Sequence, residues 1–268
     1  MKFKQVDVFT DRPFFGNPVA IVIGGESLDT AAMQRIACWT NLSETTFLLP
    51  SKLADYRLRI FTPRQELPFA GHPTIGAAHA ALESGFISRK KKITQECGAG
   101  IIDLAVEEQG IFLKAPEAKL VTIAERLPFA SALVRVDVGP VWIVGELPDA
   151  RSLAGLQPDM AAIAAFTNAH KATGVTLFAP SGERETAIHV RSFAPAHGIN
   201  EDPVCGSGNI SVAAYLRFFK KLDFTGNPYV ARQGMQLGRD GRVSVRVSES
   251  GIEIGGRCVT CVEGTLRT

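Results

Sequence analysis

An internal repeat is the feature that most constrains what this chain can fold into. Four short blocks of the first half recur in the second half in the same order, at an offset that drifts slowly from about 130 to about 135 positions. The matched blocks are 6–8 with 136–138, 46–51 with 176–181, 59–63 with 191–195, and 71–78 with 206–213. Two short matches arise easily by chance, but four in register predict two copies of one fold.

Each copy has the same predicted order of elements: strand, strand, helix, strand, strand, a loop and then an apolar helix. The apolar helices are predicted over 73–84 and 209–220. Pro73 suits the first turn of a helix and Gly85 suits a stop after the last turn. Because the first of these helices is small and apolar around most of its circumference, it must be buried. We therefore expect an α+β fold of two pseudo-repeated lobes, each a mostly antiparallel or mixed sheet around a central helix.

The predicted lobes are 1–118 and 119–258, and the strand at 259–268 is a candidate to join the first lobe. The seam is expected between 114 and 125, where Ala115-Pro116-Glu117 interrupts the pattern. The stretch 241–247 alternates apolar and polar residues, as a half-buried antiparallel strand does.

Composition excludes several classes of partner. The net charge of +2 and the pI of about 8.3 are too mild for a nucleic-acid-binding protein. The basic run at 89–92 is interpreted as a solvated turn. No apolar stretch reaches the roughly 18 residues of a membrane span. The first residues lead directly into a strand pattern without a leader segment, so we expect a cytoplasmic protein with no membrane partner.

Two other residue types receive a structural interpretation. The five cysteines are an odd number, and Cys258 and Cys261 lack a second pair or a nearby histidine, so buried reduced thiols are expected rather than a disulfide or a metal site. Trp39 and Trp142 are expected to serve in packing.

The segment 201–209 precedes the second apolar helix and carries the densest chemistry of the chain. It contains two carboxylates, a thiol, a hydroxyl and two glycines. A helix start offers unpaired backbone N–H groups and the positive end of the helix dipole, and glycines let an anion approach closely. If the two copies are related by a pseudo-twofold axis, both central helices point at one ligand in the cleft between the lobes, which would suit a carboxylate.

The copies differ in their ionisable residues. The counterparts are Ala70 for Cys205, Gly174 for Glu44 and His72 for Ser207. The chemistry is therefore predicted to be asymmetric, because a symmetric pair of acid–base thiols would need a second cysteine at position 70.

Four blocks carry a resemblance to a known family. They are Phe15-Gly16-Asn17-Pro18, Asn41-Leu42-Ser43-Glu44-Thr45-Thr46-Phe47, Phe69-Ala70-Gly71-His72-Pro73-Thr74 and Glu201-Asp202-Pro203-Val204-Cys205-Gly206-Ser207-Gly208. Together they resemble the signature blocks of the PhzF-like isomerases of phenazine biosynthesis, and the similarity covers essentially the whole chain. That family belongs to the wider superfamily of diaminopimelate epimerase and proline racemase, whose members use two facing cysteines.

The resemblance implies roles for individual residues and a homodimeric enzyme without a metal or organic cofactor. The implied catalytic residues are Glu44 as the general acid–base group, His72 and Asp202. The implied substrate-binding residues are Ser43, Gly71, Cys205, Gly206 and Ser207. Cys205 departs from the pattern, since phenazine-type members commonly have another residue there.

The implied reaction is the movement of a proton between carbons of a small carboxylate by one glutamate. We expect burial to raise the pKa of Glu44 from about 4.3 toward the working pH, so that it both takes and returns a proton. On the residues alone, Asn41 to Glu44 also fits a helix capping box and Asp202 also fits a helix cap.

Two other functions fit the sequence. One is an amino- or imino-acid racemase or epimerase that uses Cys205, although Ala70 leaves it without a base on the second face. The other is a non-catalytic binding protein that has kept an enzyme cleft.

Overall fold

A computed structural model describes residues 1–125, 127, 130 and 132–267. The chain divides into two compact units: unit 1 comprises Met1–Leu113 with Gly255–Thr268, and unit 2 comprises Lys114–Ile254. The boundaries predicted from the sequence lie at 118/119 and 258/259.

The first part of unit 1 contains eight strands and two helices among the described residues. They are β1 (Lys2–Val8), β2 (Asn17–Ile23), α1 (Thr30–Thr40), β3 (Thr45–Leu49), β4 (Tyr56–Phe61), β5 (Glu66–Leu67), α2 (Gly71–Glu83), β6 (Lys92–Cys97), β7 (Gly100–Val106) and β8 (Ile111–Lys114).

Unit 2 follows, and the last strand then returns to unit 1. The elements are β9 (Lys119–Ile123), β10 (Leu133–Asp137), β11 (Val141–Glu146), α3 (Ala150–Ala154), α4 (Met160–Ala169), β12 (Gly174–Pro180), β13 (Ile188–Ala194), β14 (Ile199–Asp202), α5 (Gly206–Phe218), α6 (Leu222–Thr225), β15 (Tyr229–Gln233), β16 (Gly241–Ser248), β17 (Gly251–Gly256) and, in unit 1, β18 (Cys258–Thr265). Two short 3-10 turns lie at Pro195–His197 and Met235–Leu237.

The strand pairings confirm the repeat. In unit 1, β2 pairs antiparallel with β1 and parallel with β3, and β4 pairs antiparallel with β3 and parallel with β6. In unit 2, β11 pairs antiparallel with β10 and parallel with β12, and β13 pairs antiparallel with β12 and parallel with β15. Even the outer strand has a counterpart, since β18 pairs antiparallel with β1 as β9 does with β10. The predicted α+β fold of two pseudo-repeated lobes is confirmed.

The central helix of each unit, α2 or α5, is buried along most of its length, as expected from its apolar circumference. Both begin earlier than predicted, at Gly71 and Gly206 instead of Pro73 and Asn209. A proline fits equally well at the third position, where its missing N–H has no helical partner. In α2, a Cβ at Gly76 would lie 2.6 Å from Val19 Cγ1, so glycine lets the helix lie close against the sheet.

Several surface features depart from or match the sequence expectations. The packing role expected for Trp39 is wrong, because its side chain is 77% exposed. Met33 and Ala37 form the buried side of α1, and Trp39, two residues beyond Ala37, lies on the opposite side. Cys258 and Cys261 are free thiols but only half-buried, and the basic run at 89–92 is exposed.

Among the described residues, no helix has the length and apolar character needed to cross a membrane.

Candidate active site

Glu44 lies in the short segment that joins α1 to β3. The helix ends at Thr40, and Asn41 follows in the left-handed conformation with φ of 54°. The backbone carbonyl of Glu44 then accepts a hydrogen bond from Ala20 N at 3.3 Å, which holds the segment beside β2. The segment therefore follows one helix and leads into a strand. Because a capping box begins a helix, the interpretation of Asn41 to Glu44 as a capping box is wrong.

His72, the second residue of α2, contacts Glu44. Its Nε2 lies 3.2 Å from Glu44 Oε2, and the two side chains are only 8% and 14% exposed. On the other side of the ring, Asn17 Nδ2 lies 3.4 Å from His72 Nδ1. The ring therefore lies between the Asn17 amide and the Glu44 carboxylate, with its Nε2 atom facing the carboxylate.

The ionisation of Glu44 differs from the expectation. Burial is the largest influence on its pKa and acts upward, but the charge of His72 and hydrogen bonds from His72 and Ser43 act downward and together prevail. The pKa of Glu44 therefore lies below its ordinary value, and the expected rise is wrong. The expectation considered desolvation alone and omitted the partner that α2 brings to the carboxylate.

The start of α2 is polar and open. Its N-cap residue, Ala70, makes no side-chain capping hydrogen bond. A Cβ at Gly71 would meet no atom within 4 Å, so space lies beside the first residue of the helix. The first N–H groups of a helix have no partner within it, and here no capping side chain is present to accept from them.

The start of α5 in unit 2 is built differently. Cys205 is the N-cap residue, and its Sγ accepts a hydrogen bond from Gly208 N at 3.2 Å. Asp202 Oδ1 instead accepts from Val204 N at 3.0 Å, outside the helix. The alternative in which Asp202 caps the helix is therefore wrong, because Cys205 has that role.

Gln233 of β15 holds the segment from Asp202 to Asn209 in place through hydrogen bonds. Its Oε1 accepts from Cys205 N at 3.1 Å and from Asn209 Nδ2 at 3.0 Å, while its Nε2 donates to the backbone oxygen of Asp202 at 2.9 Å. One buried amide thus holds both the loop that carries Asp202 and the first turn of α5. No sequence motif pointed to Gln233, which lies 24 residues after Asn209 in the chain.

The thiol of Cys205 is held in its protonated form. Burial raises its pKa well above 9.0, and the nearby Asp202 carboxylate raises it further through its charge, against smaller opposing effects of Ser207 and Gly208. A thiol in this state is a poor base at neutral pH, because only the thiolate accepts a proton.

Ser207 is the second residue of α5, at the position that His72 has in α2. Its Oγ accepts a hydrogen bond from Trp142 Nε1 at 2.9 Å and lies 3.6 Å from Cys205 Sγ. Trp142 is buried, as expected, but its polar contact was not predicted. Trp142 pairs with Gly174, the glycine that replaces Glu44 in the second copy, and this register is visible only in the structure.

The predicted residues therefore gather into one group in each unit. Ser43, Glu44, Gly71 and His72 lie together in unit 1, and Asp202, Cys205, Gly206 and Ser207 lie together in unit 2. Each group surrounds the start of the central helix of its unit. Asn17 joins the first group and Trp142 and Gln233 join the second.

A family model described as "Phenazine biosynthesis-like protein" (PhzC-PhzF) matches residues 6–264. The chain belongs to the phenazine biosynthesis-like family. It is an isomerase by family, as the resemblance of its signature blocks implied.

Two curated relatives of this family member span nearly its whole length. "Antisense-enhancing sequence 1" of Schizosaccharomyces pombe is 39% identical, with 98% of this chain and 97% of the relative covered. "Trans-2,3-dihydro-3-hydroxyanthranilate isomerase" of Pseudomonas chlororaphis is 31% identical, with 97% of each chain covered.

Solved structures agree with the fold of this family. The PhzF-family phenazine biosynthesis protein of Bacillus anthracis superposes with a TM-score of 0.89 at 24% identity, covering 100% of this chain and 99% of that one. A hydroxyproline epimerase of Agrobacterium vitis superposes with a TM-score of 0.68 at 16% identity, covering 98% and 91%. The second likeness shows that this hydroxyproline epimerase has the same fold.

Proposed function

We propose that this chain is a cofactor-independent isomerase that moves a proton between two carbons of a small carboxylate, with Glu44 as its single acid–base group. The observation that carries the proposal is the buried contact of 3.2 Å between Glu44 and His72. A carboxylate that stays ionised inside the protein is ready to accept a proton, and its low exposure shields it from water.

The proposed reaction is a balanced pair of proton transfers. Glu44 takes a proton from one carbon of an unsaturated substrate, and the electron pair of that C–H bond enters the conjugated system. The double bond shifts, and the protonated Glu44 returns the proton to a second carbon. His72 holds the carboxyl group through its Nε2 proton during both steps, and Ser43 adds a hydroxyl beside it.

The two helix starts are the proposed binding elements. Gly71 at the start of α2 and Gly206 and Ser207 at the start of α5 offer backbone N–H groups that suit a carboxylate and the negative charge that develops during proton transfer. We propose that Asp202 and Cys205 also belong to the substrate-binding residues, and that Asp202 orients a polar group of the substrate.

The substrate class is proposed from the relatives. Several of them are named for trans-2,3-dihydro-3-hydroxyanthranilate, a small cyclic carboxylate with an amine and a hydroxyl. A compound of this class is a fitting first probe, because it has a carboxylate for the helix starts and a conjugated system in which a proton can move.

The proposal includes a homodimer and the absence of any cofactor. The homodimer follows from the family resemblance and is tested by sedimentation analysis. Independence from a cofactor follows from the chemistry, since a carboxylate base and amide donors suffice for a proton shift along a conjugated acid. Full activity after prolonged dialysis against a metal chelator is the expected result.

A racemase or epimerase that uses Cys205 is the competing function, and the epimerase fold likeness is its support. Two observations weigh against it. Burial and Asp202 hold the pKa of the Cys205 thiol well above 9.0, and Ala70 stands at the matching N-cap position of α2. Inversion at a stereocentre usually needs a base on each face of the substrate.

The deciding experiment compares Glu44→Gln with Cys205→Ala in D2O. The wild-type enzyme is mixed with trans-2,3-dihydro-3-hydroxyanthranilate and a panel of small unsaturated or amino carboxylates, and proton NMR follows exchange at carbon. Loss of a general acid–base group costs about 10²- to 10⁴-fold in rate, so Glu44→Gln is expected to lose at least about 10²-fold while Cys205→Ala loses less than about tenfold.

Controls separate chemistry from folding. Glu44→Gln keeps the size of the side chain and is expected to retain its melting temperature and its affinity for the substrate. Substantial turnover by Glu44→Gln would rule out the proposed role, and a collapse of activity in Cys205→Ala alone would favour the racemase. If no member of the panel exchanges a proton with the wild type, the binding-protein alternative gains support.

A further inference from the structure

Trp142 contacts a proposed site residue of unit 2 through its indole N–H. It lies on β11, is 3% exposed, and donates from Nε1 to Ser207 Oγ at 2.9 Å. A buried indole needs a partner for its N–H, and here the partner is a residue at the start of α5 rather than a backbone oxygen.

The indole N–H fixes the direction of the hydrogen bonds around it. Because this group only donates, Ser207 Oγ must accept from it, and the proton of the Ser207 hydroxyl must point elsewhere. The neighbour available in unit 2 is Cys205 Sγ at 3.6 Å. The donors thus run from Trp142 to Ser207 to Cys205, whose thiol is in turn hydrogen-bonded to Asp202.

The contact between Ser207 and Cys205 is the weakest hydrogen bond of this series. Sulfur is a poor acceptor, and 3.6 Å is long even for it, whereas the bond from Trp142 is of ordinary length. A carboxylate oxygen that arrives at the start of α5 is a far stronger acceptor than the sulfur. The Ser207 hydroxyl therefore changes its acceptor from the sulfur to such a ligand at little cost, while Ser207 Oγ still accepts from the indole N–H.

We infer that Trp142 is a positioning residue, which holds Ser207 Oγ as an acceptor so that the hydroxyl proton is directed to a carboxylate of the substrate. This inference rests on the proposed function in one respect, namely that Ser207 binds the substrate carboxylate. Trp142 itself acts through Ser207.

The position of Trp142 explains the glycine that replaces Glu44 in unit 2. A Cβ at Gly174 would lie 2.6 Å from Trp142 Cζ3 and 2.2 Å from Phe193 O. The edge of the indole therefore fills the space that a side chain at this position would need. One copy of the repeat uses the position for the proposed acid–base group, and the other leaves it empty so that the indole reaches Ser207.

The first test needs no ligand. The chain has two tryptophans, so a ¹H–¹⁵N spectrum contains two indole signals, one from the exposed Trp39 and one from Trp142. Ser207→Ala is expected to shift the Trp142 signal and to speed its exchange with solvent, and Trp39→Phe assigns the pair. Ser244→Ala, at a half-buried serine on β16 of the same unit, is the control and should leave the signal unmoved. An unchanged Trp142 signal in Ser207→Ala would overturn the inference.

The second test measures the consequence for a ligand. The probe is anthranilate, a stable compound with a carboxylate beside an amine, titrated by calorimetry into the wild type, Ser207→Ala, Trp142→Phe and the double variant. Loss of one neutral hydrogen bond corresponds to about two- to tenfold in affinity, so each single variant is expected to weaken binding by that factor. The double variant should equal Ser207→Ala, because Trp142 acts only through the serine.

The outcomes separate this inference from the proposed function. Wild-type affinity in Trp142→Phe, fully multiplicative losses in the double variant, or no binding of the probe by the wild type would each overturn the inference. Proton exchange that depends on Glu44 would still stand in those cases. If Trp142→Phe proves unstable, the indole spectrum and the affinity of Ser207→Ala still decide the matter, because that variant keeps the tryptophan.

Discussion

The two units hold the start of their central helix in opposite ways. In unit 1 the first turn of α2 has no capping side chain, and its second residue, His72, is held between Asn17 and Glu44. In unit 2 the first turn of α5 is capped by Cys205, and its second residue, Ser207, is held by Trp142. A duplicated scaffold thus has a Glu44–His72 pair at one helix start and a capping thiol beside a serine and Asp202 at the other.

The two units also differ in the exposure of an ion pair that lies further from the proposed site. Each unit has an arginine that grips a glutamate with two nitrogens: Arg59 binds Glu66 at 2.6 and 2.7 Å, and Arg191 binds Glu201 at 2.8 and 2.9 Å. The first pair is 17% and 38% exposed, whereas the second is 5% and 8% exposed. The repeat preserves the geometry of the pair, and burial decides how much each pair contributes to stability.

The largest difference between the two units is expected in the free energy of unfolding when Arg59 and Arg191 are each replaced by methionine. Arg191 also donates to the backbone oxygens of Leu153 and Leu156, so Arg191→Met leaves a buried Glu201 and two carbonyls without partners. Breaking a buried pair costs about 3–5 kcal/mol, whereas a more exposed pair is worth about 1 kcal/mol or less. Urea denaturation should therefore place Arg191→Met well below Arg59→Met in the free energy of unfolding, and equal losses would refute the comparison.

A smaller difference is expected between two glycines of the helix starts. A Cβ at Gly208 would lie 2.7 Å from Ser192 Oγ and 2.9 Å from Thr176 Oγ1, so Gly208→Ala overpacks unit 2 and should cost about 1–3 kcal/mol. Gly71→Ala meets nothing within 4 Å and should keep the wild-type melting temperature.

Gly71→Ala should nevertheless weaken substrate binding, since the added methyl group occupies space beside a proposed anion site. Calorimetric titration with anthranilate measures this effect, with the melting temperature as its control. Unchanged affinity in Gly71→Ala would remove the start of α2 from the proposed binding elements.

The smallest effect on kcat is expected from a change of pH above neutrality. A carboxyl group whose pKa is lowered in the folded protein is ionised at every higher pH, so activity that depends on ionised Glu44 falls only as the pH drops through that lowered pKa, below 4.5. Between about pH 7 and about pH 9, kcat should stay constant within about twofold. A mechanism that uses the Cys205 thiolate would instead gain about tenfold per pH unit, because the pKa of that thiol lies well above 9.0.

The sequence was sufficient for the architecture. The register of the repeat and the apolar character of the two helices predicted the fold class and the central helices, and the four signature blocks predicted the family. Glu44 lies beside His72 near the start of α2, and Asp202 lies beside Cys205 near the start of α5.

Long-range contacts account for what the sequence did not predict. The lowered pKa of Glu44 depends on the approach of His72 from another element, which no local pattern encodes. Trp142 reaches Ser207 only because β11 pairs with β12 in a particular register. The exposure of Trp39 follows from the orientation of α1, which its composition left undetermined.

The return of β18 to pair with β1 has a consequence for synthesis on the ribosome. Unit 2 is one continuous segment, Lys114–Ile254, whereas unit 1 needs residues that are translated after all of unit 2. Unit 2 can thus complete its strands first, whereas β1 of unit 1 cannot pair with β18 until that strand has been translated. Unit 1, which contains the proposed proton carrier, is therefore finished last, after the residues of β18 have been translated.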